Sequence, residues 1–294
     1  MTTENPMRVV AWNIRAGGGR RVEQIALQLK AWQPDVVALS EFRGTPASQW
    51  LAEELASQGL LHQLTTAEPA KPAANRLLVA SRWPVEQSRL RRAPKVDGKW
   101  LLVEVAAPTP FAISAMHIPN FATGNRYVYH DAALAVARGW KGPPALLVGD
   151  TNTGRIGIDE ESPVFSQRDD NWMQSLERAG WHDAFRHLYG ETRVYTWYSP
   201  NKGNGFRLDE AFVHNSLLPR LVDVRYEWGK GFLLTHERDF MTQADHASPI
   251  PRREVDDFGV RIGPRNKGKL LLNDRPLRRD ALSDHAALIV DFGG

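Results

Sequence analysis

The sequence predicts an α/β fold, of the α+β kind, built on mixed sheet, and three observations carry that expectation. Short apolar runs rich in Val, Ile, Leu and Phe recur along the chain, mostly unbroken, as in strands covered on both faces. Stretches of helical spacing separate some of these runs, while others follow one another directly. Several of the runs end in polar groups, which would converge if the strand ends shared one edge.

The elements read as follows. The first run, VVAWNI, ends on Asn13 and Arg15. Beyond it Val22, Ile25, Ala26, Leu29 and Trp32 recur at helical spacing until Pro34 stops the pattern, and the next run, DVVALSEF, carries Glu41. This is a strand, helix, strand unit. A second helix is expected over 47–58, ended by Gly59, and strands over 77–80, 100–106 and 111–116 follow. The last belongs to FAISAMHIPN, which holds His117 and Asn120. A helix over 126–140 leads to ALLVGDTNTG, with Asp150 and Asn152, and a shorter helix around 172–178 is terminated by Gly180. NGFRLDEAFVH then places Asp209 inside a strand pattern, and ALSDHAALIVDF sets Asp284 and His285 directly before an apolar β-branched run. The segment 228–280, rich in Gly, Pro and both charge signs, has little sustained period. It reads as a long irregular insertion in one domain that spans 1–294.

With 294 residues, 42% hydrophobic and 24% charged, the chain can bury a substantial core. No run approaches the apolar length of a membrane span, and MTTENPMRVV lacks a charged leader followed by an apolar stretch, so a cytoplasmic protein is expected. The absence of cysteine excludes disulfides and thiolate ligands, which leaves oxygen and imidazole groups to hold any metal. A net charge of +3 does not by itself demand a polyanionic partner. Its distribution says more: Arg89, Arg91, Arg92, Lys95 and Lys99 crowd one segment, and Arg261, Arg265, Lys267, Lys269, Arg275, Arg278 and Arg279 form another. Such clusters can line a phosphate backbone or decorate a solvated loop.

The polar strand ends suit metal-assisted chemistry. Mg²⁺ binds one or two carboxylates, keeps several waters and leaves positions for phosphate oxygens, a role that Glu41 and Asp284 fit. Asn13, Asp150 and Asn152 can complete the surroundings. Phosphodiester hydrolysis needs an activated water, charge neutralisation on the phosphorus centre and help for the leaving alkoxide. Asp209 and His285 suggest an orienting pair, with His117 as a second imidazole, and which histidine takes or gives a proton is open. Singly, each residue also has a structural reading: Asn13, Asn120 and Asn152 as turn formers, Asp150 as a cap, Asp209 as the ion-pair partner of Arg207 or another cation. GDTNTGRIGIDEE half-matches a calcium loop through Asp150, Asn152 and Glu161, but Gly154 falls one place early and an apolar strand precedes it. His182, His187, His236 and His246 have no zinc-like spacing.

Taken together and in order, WNI, SE, HIPN, GDTN, RLDEAF and SDH resemble the endonuclease/exonuclease/phosphatase superfamily, the deoxyribonuclease I-like group, over residues 7–292. The resemblance implies two packed mixed sheets flanked by helices, a four-layer α/β/β/α sandwich with its active site at one edge. It implies a metal-dependent phosphodiesterase, a nuclease acting on DNA, with Mg²⁺ or Mn²⁺ as cofactor. By motif, Glu41 is similar to the principal metal-binding glutamate, Asn13 to the asparagine that supports metal or phosphate, and Asp284 to the terminal metal-binding aspartate. Asp150 and Asn152 resemble the GDxN pair, for water activation or metal binding and for phosphate contact. Asp209 and His285 resemble the catalytic aspartate and histidine, His117 a second active-site histidine, and Asn120 a phosphate-contacting asparagine.

Departures bear on the substrate. Arg15, a further phosphate-binding candidate, stands where abasic-site endonucleases carry an acidic residue, which weakens that assignment and gives NIR as in deoxyribonuclease I. Ser40 replaces a common glutamine and Thr151 an aromatic; neither removes a proposed ligand. The Trp-Cys-Asp-Arg motif of inositol-polyphosphate phosphatases is absent, so a phosphatase or phosphodiesterase for a lipid headgroup or small ester ranks second. A binding module that keeps the fold without catalysis ranks third.

Overall fold

The structure, a computed structural model, describes residues 6–230 and 280–293. In chain order its elements are β1 (Met7–Asn13), α1 (Val22–Trp32), β2 (Val36–Phe42), α2 (Pro46–Ser57), β3 (His62–Thr65), β4 (Arg76–Ser81), β5 (Val85–Gln87), β6 (Trp100–Val105) and β7 (Phe111–His117). Then follow α3 (Arg126–Arg138), β8 (Ala145–Asp150), α4 (Gln167–Arg178), β9 (Trp181–Asp183), α5 (Ala184–Tyr189), β10 (Trp197–Tyr198), β11 (Gly205–Phe206), β12 (Asp209–His214), β13 (Leu221–Glu227) and β14 (Ala287–Phe292).

Two six-stranded sheets form, ordered β13-β14-β1-β2-β4-β3 and β5-β6-β7-β8-β12-β9. Each is mixed: β1 pairs parallel with β2 and β7 with β8, and their other neighbours are antiparallel. The two-residue period of a strand sorts the apolar side chains between layers. Val9 and Ala11 of β1 enter a core shared with Val103, Ile113, Leu146, Val148 and Ala211 of the second sheet. Val10 and Trp12 face the other way, against Ile25, Leu29 and Trp32 of α1 and Leu51 and Leu55 of α2. On the outside of the second sheet Ala112, Met116 and Leu147 pack on Tyr129, Ala133 and Ala137 of α3 and on Trp172, Met173 and Leu176 of α4. The layers are therefore α/β/β/α, and burial on both faces explains why these strands read as continuous apolar runs.

Most of the expected elements agree with the structure to within a few residues. The largest difference is α4, which begins at Gln167 rather than near Trp172. Its start is a capping box: Ser166 accepts from the Asp169 amide while Asp169 accepts from the Ser166 amide. The polar turn QRDDN hides a helix whose apolar stripe begins only at Trp172. Strands β3 and β5 and helix α5 are further additions, all too short to hold a period. Of the insertion expected over 228–280, residues 231–279 lie outside the described residues, and with them His236, His246 and the second basic segment. Among the described residues, no helix is long and apolar enough to cross a membrane.

Candidate active site

Strand direction gathers the polar ends at one edge. In the second sheet His117 lies opposite Asp150 across the parallel β7–β8 pair, and Asp209 lies opposite Asp150 across the antiparallel β8–β12 pair. Residues in register share a face, so these three side chains form a row. Gly149 allows this, because its φ is +140° and a Cβ there would meet the Met116 carbonyl oxygen at 2.1 Å. In the first sheet β14 runs antiparallel to β1, which brings the turn holding Asp284 and His285 beside the end of β1. The pairing of β2 with β4 shifts register between Ser40 and Phe42, and Glu41 adopts φ +58° there. Such a bulge re-aims a side chain. The Glu41 carbonyl takes the Gly17 amide at 2.8 Å and its Oε2 the Ala16 amide at 2.7 Å.

The two sheets meet through Asn13. Its Nδ2 donates to Asp150 Oδ2 at 2.9 Å and lies 3.4 Å from Glu41 Oε1, while its Oδ1 takes the Arg15 amide at 2.9 Å. Ser283 Oγ donates to the Asn13 carbonyl at 2.6 Å and accepts from the His285 amide at 3.3 Å, fixing the SDH turn against β1. Arg21 ties the same corner by donating to the Ile14, Arg15 and Leu282 carbonyls. Burial lowers its pKa, as does Arg15, while Asp284 and Glu41 oppose them, so both carboxylates act on one guanidinium.

His285 and Asp209 are both buried and joined, with Nδ1 to Oδ2 at 2.9 Å. The ion pair of Asp209 with Arg207 that the sequence allowed does not form: Arg207 engages Asp159, Asp183 and Glu210 instead. His285 Nε2 lies 3.9 Å and His117 Nε2 3.7 Å from Asp150 Oδ2, so the carboxylate stands between two imidazoles. Burial pushes His285 down, but the Asp209 and Asp150 carboxylates outweigh it and raise its pKa to about 10. Burial, aided by Asp209, raises Asp150 to about 7 against the pull of His285 and the Asn13 and Asn152 donors. His117 moves the opposite way: burial, then Lys99, then His285, hold it well below the ordinary histidine range.

Other expected residues differ in how closely they join. Asn152, at φ +48°, gives its amide to Asp150 Oδ1 at 3.0 Å, with its side chain on the Ile118 carbonyl at 2.9 Å. Arg15 lies at the rim with its side chain 62% exposed, 3.8 Å from Asp284. Asn120 stands apart, exposed, its side chain capping a short helical turn through the Thr123 amide at 3.1 Å. Lys99 is the reverse case. The charge pattern groups it with an exposed arginine segment, yet its Nζ sits 2.9 Å from His117 Nδ1. Sequence reasoning also missed Thr196, whose Oγ1 takes the Leu208 and Asp209 amides at 2.9 and 3.2 Å and whose carbonyl takes the Ala286 amide at 2.9 Å. It links the Asp209 backbone to that of Ala286, next to His285, and an isolated threonine in YTWY gives no signal of this.

The donor set fits a hard cation. With no cysteine in the chain, Glu41 and Asp284 supply carboxylate oxygens at the same corner, with the Asn13 amide beside Glu41. Among the described residues, no group of three or more His, Asp or Glu side chains is placed to hold a metal ion, and Mg²⁺ takes one or two carboxylates while keeping water.

Comparison with known proteins agrees with this architecture. The sequence model of the Endonuclease/Exonuclease/phosphatase family matches residues 10–285. A 3′ phosphatase, NExo, from Neisseria, solved with product DNA hairpin, superposes with a TM-score of 0.67 at 18% identity, covering 97% of this chain and 99% of that one. An AP endonuclease from Archaeoglobus fulgidus gives 0.68 at 17% identity with the same coverage. In sequence, Recombination repair protein 1 of Drosophila melanogaster is 32% identical over 93 residues, which span 27% of this chain and 14% of that protein's length.

Proposed function

Because this chain belongs to the endonuclease/exonuclease/phosphatase family and is a hydrolase of phosphate esters, we propose that it is a metal-dependent phosphodiesterase, a nuclease that hydrolyses DNA. One observation carries the proposal: the buried Asp209–His285 pair faces Asp150 and His117, with Asn13 linking Asp150 to Glu41. Glu41 and Asp284, with Asn13 beside them, would hold a divalent cation such as Mg²⁺ or Mn²⁺. When bound, that ion neutralises phosphate charge and stabilises the leaving oxygen.

The residues of the chain supply the rest. Asp150, with a pKa of about 7 and anchored by Asn13 and Asn152, takes a proton from water as the water oxygen bonds to phosphorus. The bond from phosphorus to the 3′ oxygen breaks, and that oxygen is protonated from solvent, leaving a 3′-hydroxyl and a 5′-phosphate. His285, charged and held by Asp209, donates from Nε2 to a non-bridging oxygen, where negative charge develops. Arg15 and Asn152 contact flanking or reacting phosphates. Arg89, Arg91, Arg92 and Lys95 track the backbone, which makes binding salt-sensitive and largely indifferent to base sequence. The Neisseria relative, solved with a DNA product, supports a nucleic-acid substrate.

The test is a panel of plasmid, linear duplex, single strand, RNA, phosphoinositide and sphingomyelin, each with and without Mg²⁺. DNA should be cut, a chelator should stop cleavage, and Glu41→Ala and His285→Ala should each lose roughly 100-fold or more with unchanged circular dichroism. Release of phosphate from lipid or small esters with nucleic acid untouched would overturn the nuclease in favour of a phosphatase. Retardation of DNA without cutting, under Mg²⁺ and Mn²⁺ alike, would mark a binding module.

A further inference from the structure

We propose that Lys99 is a positioning residue that locks His117 in a single tautomer, Nδ1 unprotonated and Nε2 carrying the hydrogen, so that His117 can only donate to substrate. This rests on the nuclease reading for its substrate but not for its geometry. Burial lowers the Lys99 pKa while Glu41 and Asp150 counter it, and as an ammonium, with three donors and no acceptor, Lys99 makes the ring nitrogen the acceptor in the 2.9 Å contact between its Nζ and His117 Nδ1. The remaining hydrogen of a neutral ring then lies on Nε2. That nitrogen faces Asp150 Oδ2 at 3.7 Å, too far for a direct hydrogen bond and close enough for both groups to reach one bound phosphate or water.

The backbone holds the lysine in place. The Lys99 carbonyl takes the His117 amide at 3.1 Å and the Tyr129 hydroxyl at 3.0 Å, and the Lys99 amide donates to the Val96 carbonyl at 3.1 Å. The site thus contains two imidazoles with opposite partners. His285 has a carboxylate on Nδ1, whereas His117 has the Lys99 side-chain nitrogen there. Burial and the neighbouring charges on Lys99 and His285 act in the same direction on His117. A neutral ring whose free nitrogen is already occupied has no basic lone pair for the attacking water. The role that sequence left open is divided accordingly: Asp150 takes the proton, and both histidines present N–H groups.

The experiment is a long-range ¹H–¹⁵N spectrum of the full-length protein labelled with ¹⁵N-histidine, with His117 assigned by its loss in His117→Gln. The wild type should show His117 Nε2 protonated and Nδ1 bare. In Lys99→Met the single tautomer should give way to an exchanging mixture, and Lys99→Arg, which keeps a donor, should restore part of it. On the cleaved substrate Lys99→Met should lower kcat by roughly 10- to 100-fold, bounded by the loss of an oxyanion donor, with KM nearly unchanged. Protonation of Nδ1 in the wild type would overturn the proposal, as would His117 signals indifferent to Lys99→Met. Should Lys99→Met fail to fold, the wild-type and Lys99→Arg spectra still decide. A protein that cuts no nucleic acid but shows the Nε2–H tautomer would sink the nuclease reading and leave the lock standing.

Discussion

His285 and His117 carry the same ring, yet their neighbours drive them to opposite states, because an imidazole buried beside a carboxylate keeps its proton and one buried beside an ammonium sheds it. Asp209 is the residue on which the first of these depends. Asp209→Asn preserves size while removing the charge, so burial of His285 should prevail and its pKa should fall from about 10 toward or below the ordinary histidine value. Cleavage at pH 7.5 should drop by roughly 10²- to 10⁴-fold, the range for losing a correctly charged acid or base. Histidine titration by NMR and kcat measured together check this; an Asn variant with an unshifted His285 would show that Asp150 alone sets the ring's charge. The sequence made the Asp209–His285 pair a candidate through RLDEAF and SDH. It could not show that Lys99 leaves its arginine neighbours for His117, since a charge pattern carries no direction in space.

At the scale of elements, the link from β11 to β12 just before Asp209 carries a buried ion network. Arg207 is buried among Asp159, Asp183 and Glu210, with its Nε 2.7 Å from Asp159, while Tyr226 donates to the Asp209 carbonyl at 2.9 Å. Burial opposes ionisation of Asp159, but Arg207 and Arg186 overcome it and hold its pKa at about 2. Removing the cation leaves Asp159 with Arg186 alone and takes the Arg207 ion pair from Asp183 and Glu210. Arg207→Gln should therefore cost about 3–5 kcal/mol in urea unfolding, and Asp159→Asn added to it should recover part of that loss. Additivity of the two changes would contradict the network. Asp159 and Asp183 lie outside RLDEAF, so the motif alone could not show that Arg207 turns to them and to Glu210 while Asp209 turns to His285. The start of α4 was hidden for a related reason: a capping box is a local polar motif and adds nothing to an apolar period.

For the whole molecule, the helix layer on the second sheet carries a pH liability. His130 of α3 stacks on Trp172 of α4 at 4.3 Å, is 1% exposed, and its ring nitrogens have no hydrogen-bond partner among the described residues. Burial, only partly offset by Asp169, lowers its pKa from 6.5 to about 3. Between those values the unfolded chain binds the proton and the folded one does not. The contribution of His130 is thus complete above pH 6.5 and is lost as pH falls toward 3, by about 1.4 kcal/mol per pH unit. His130→Phe keeps the stack and removes the titration, so its stability should fall less steeply than the wild type's between pH 6.5 and 5. Parallel slopes in urea titrations across that window would refute the assignment.

What the sequence determined by itself was the order and kind of the long elements and the residue types at their ends, because period and strand-end polarity are local properties of the chain. The apolar runs of β1, β2, β7, β8 and β14, and the resemblance carried by their polar ends, already implied two covered sheets. Only the tertiary structure decided which ends share an edge. That depends on strand direction and register, which put His117, Asp150 and Asp209 in one row and Asn13 across from them. The same long-range geometry sent Asn120 to a local cap and brought Lys99 to an imidazole, since a side chain's partner is fixed by which backbone folds next to it and not by its neighbours in sequence.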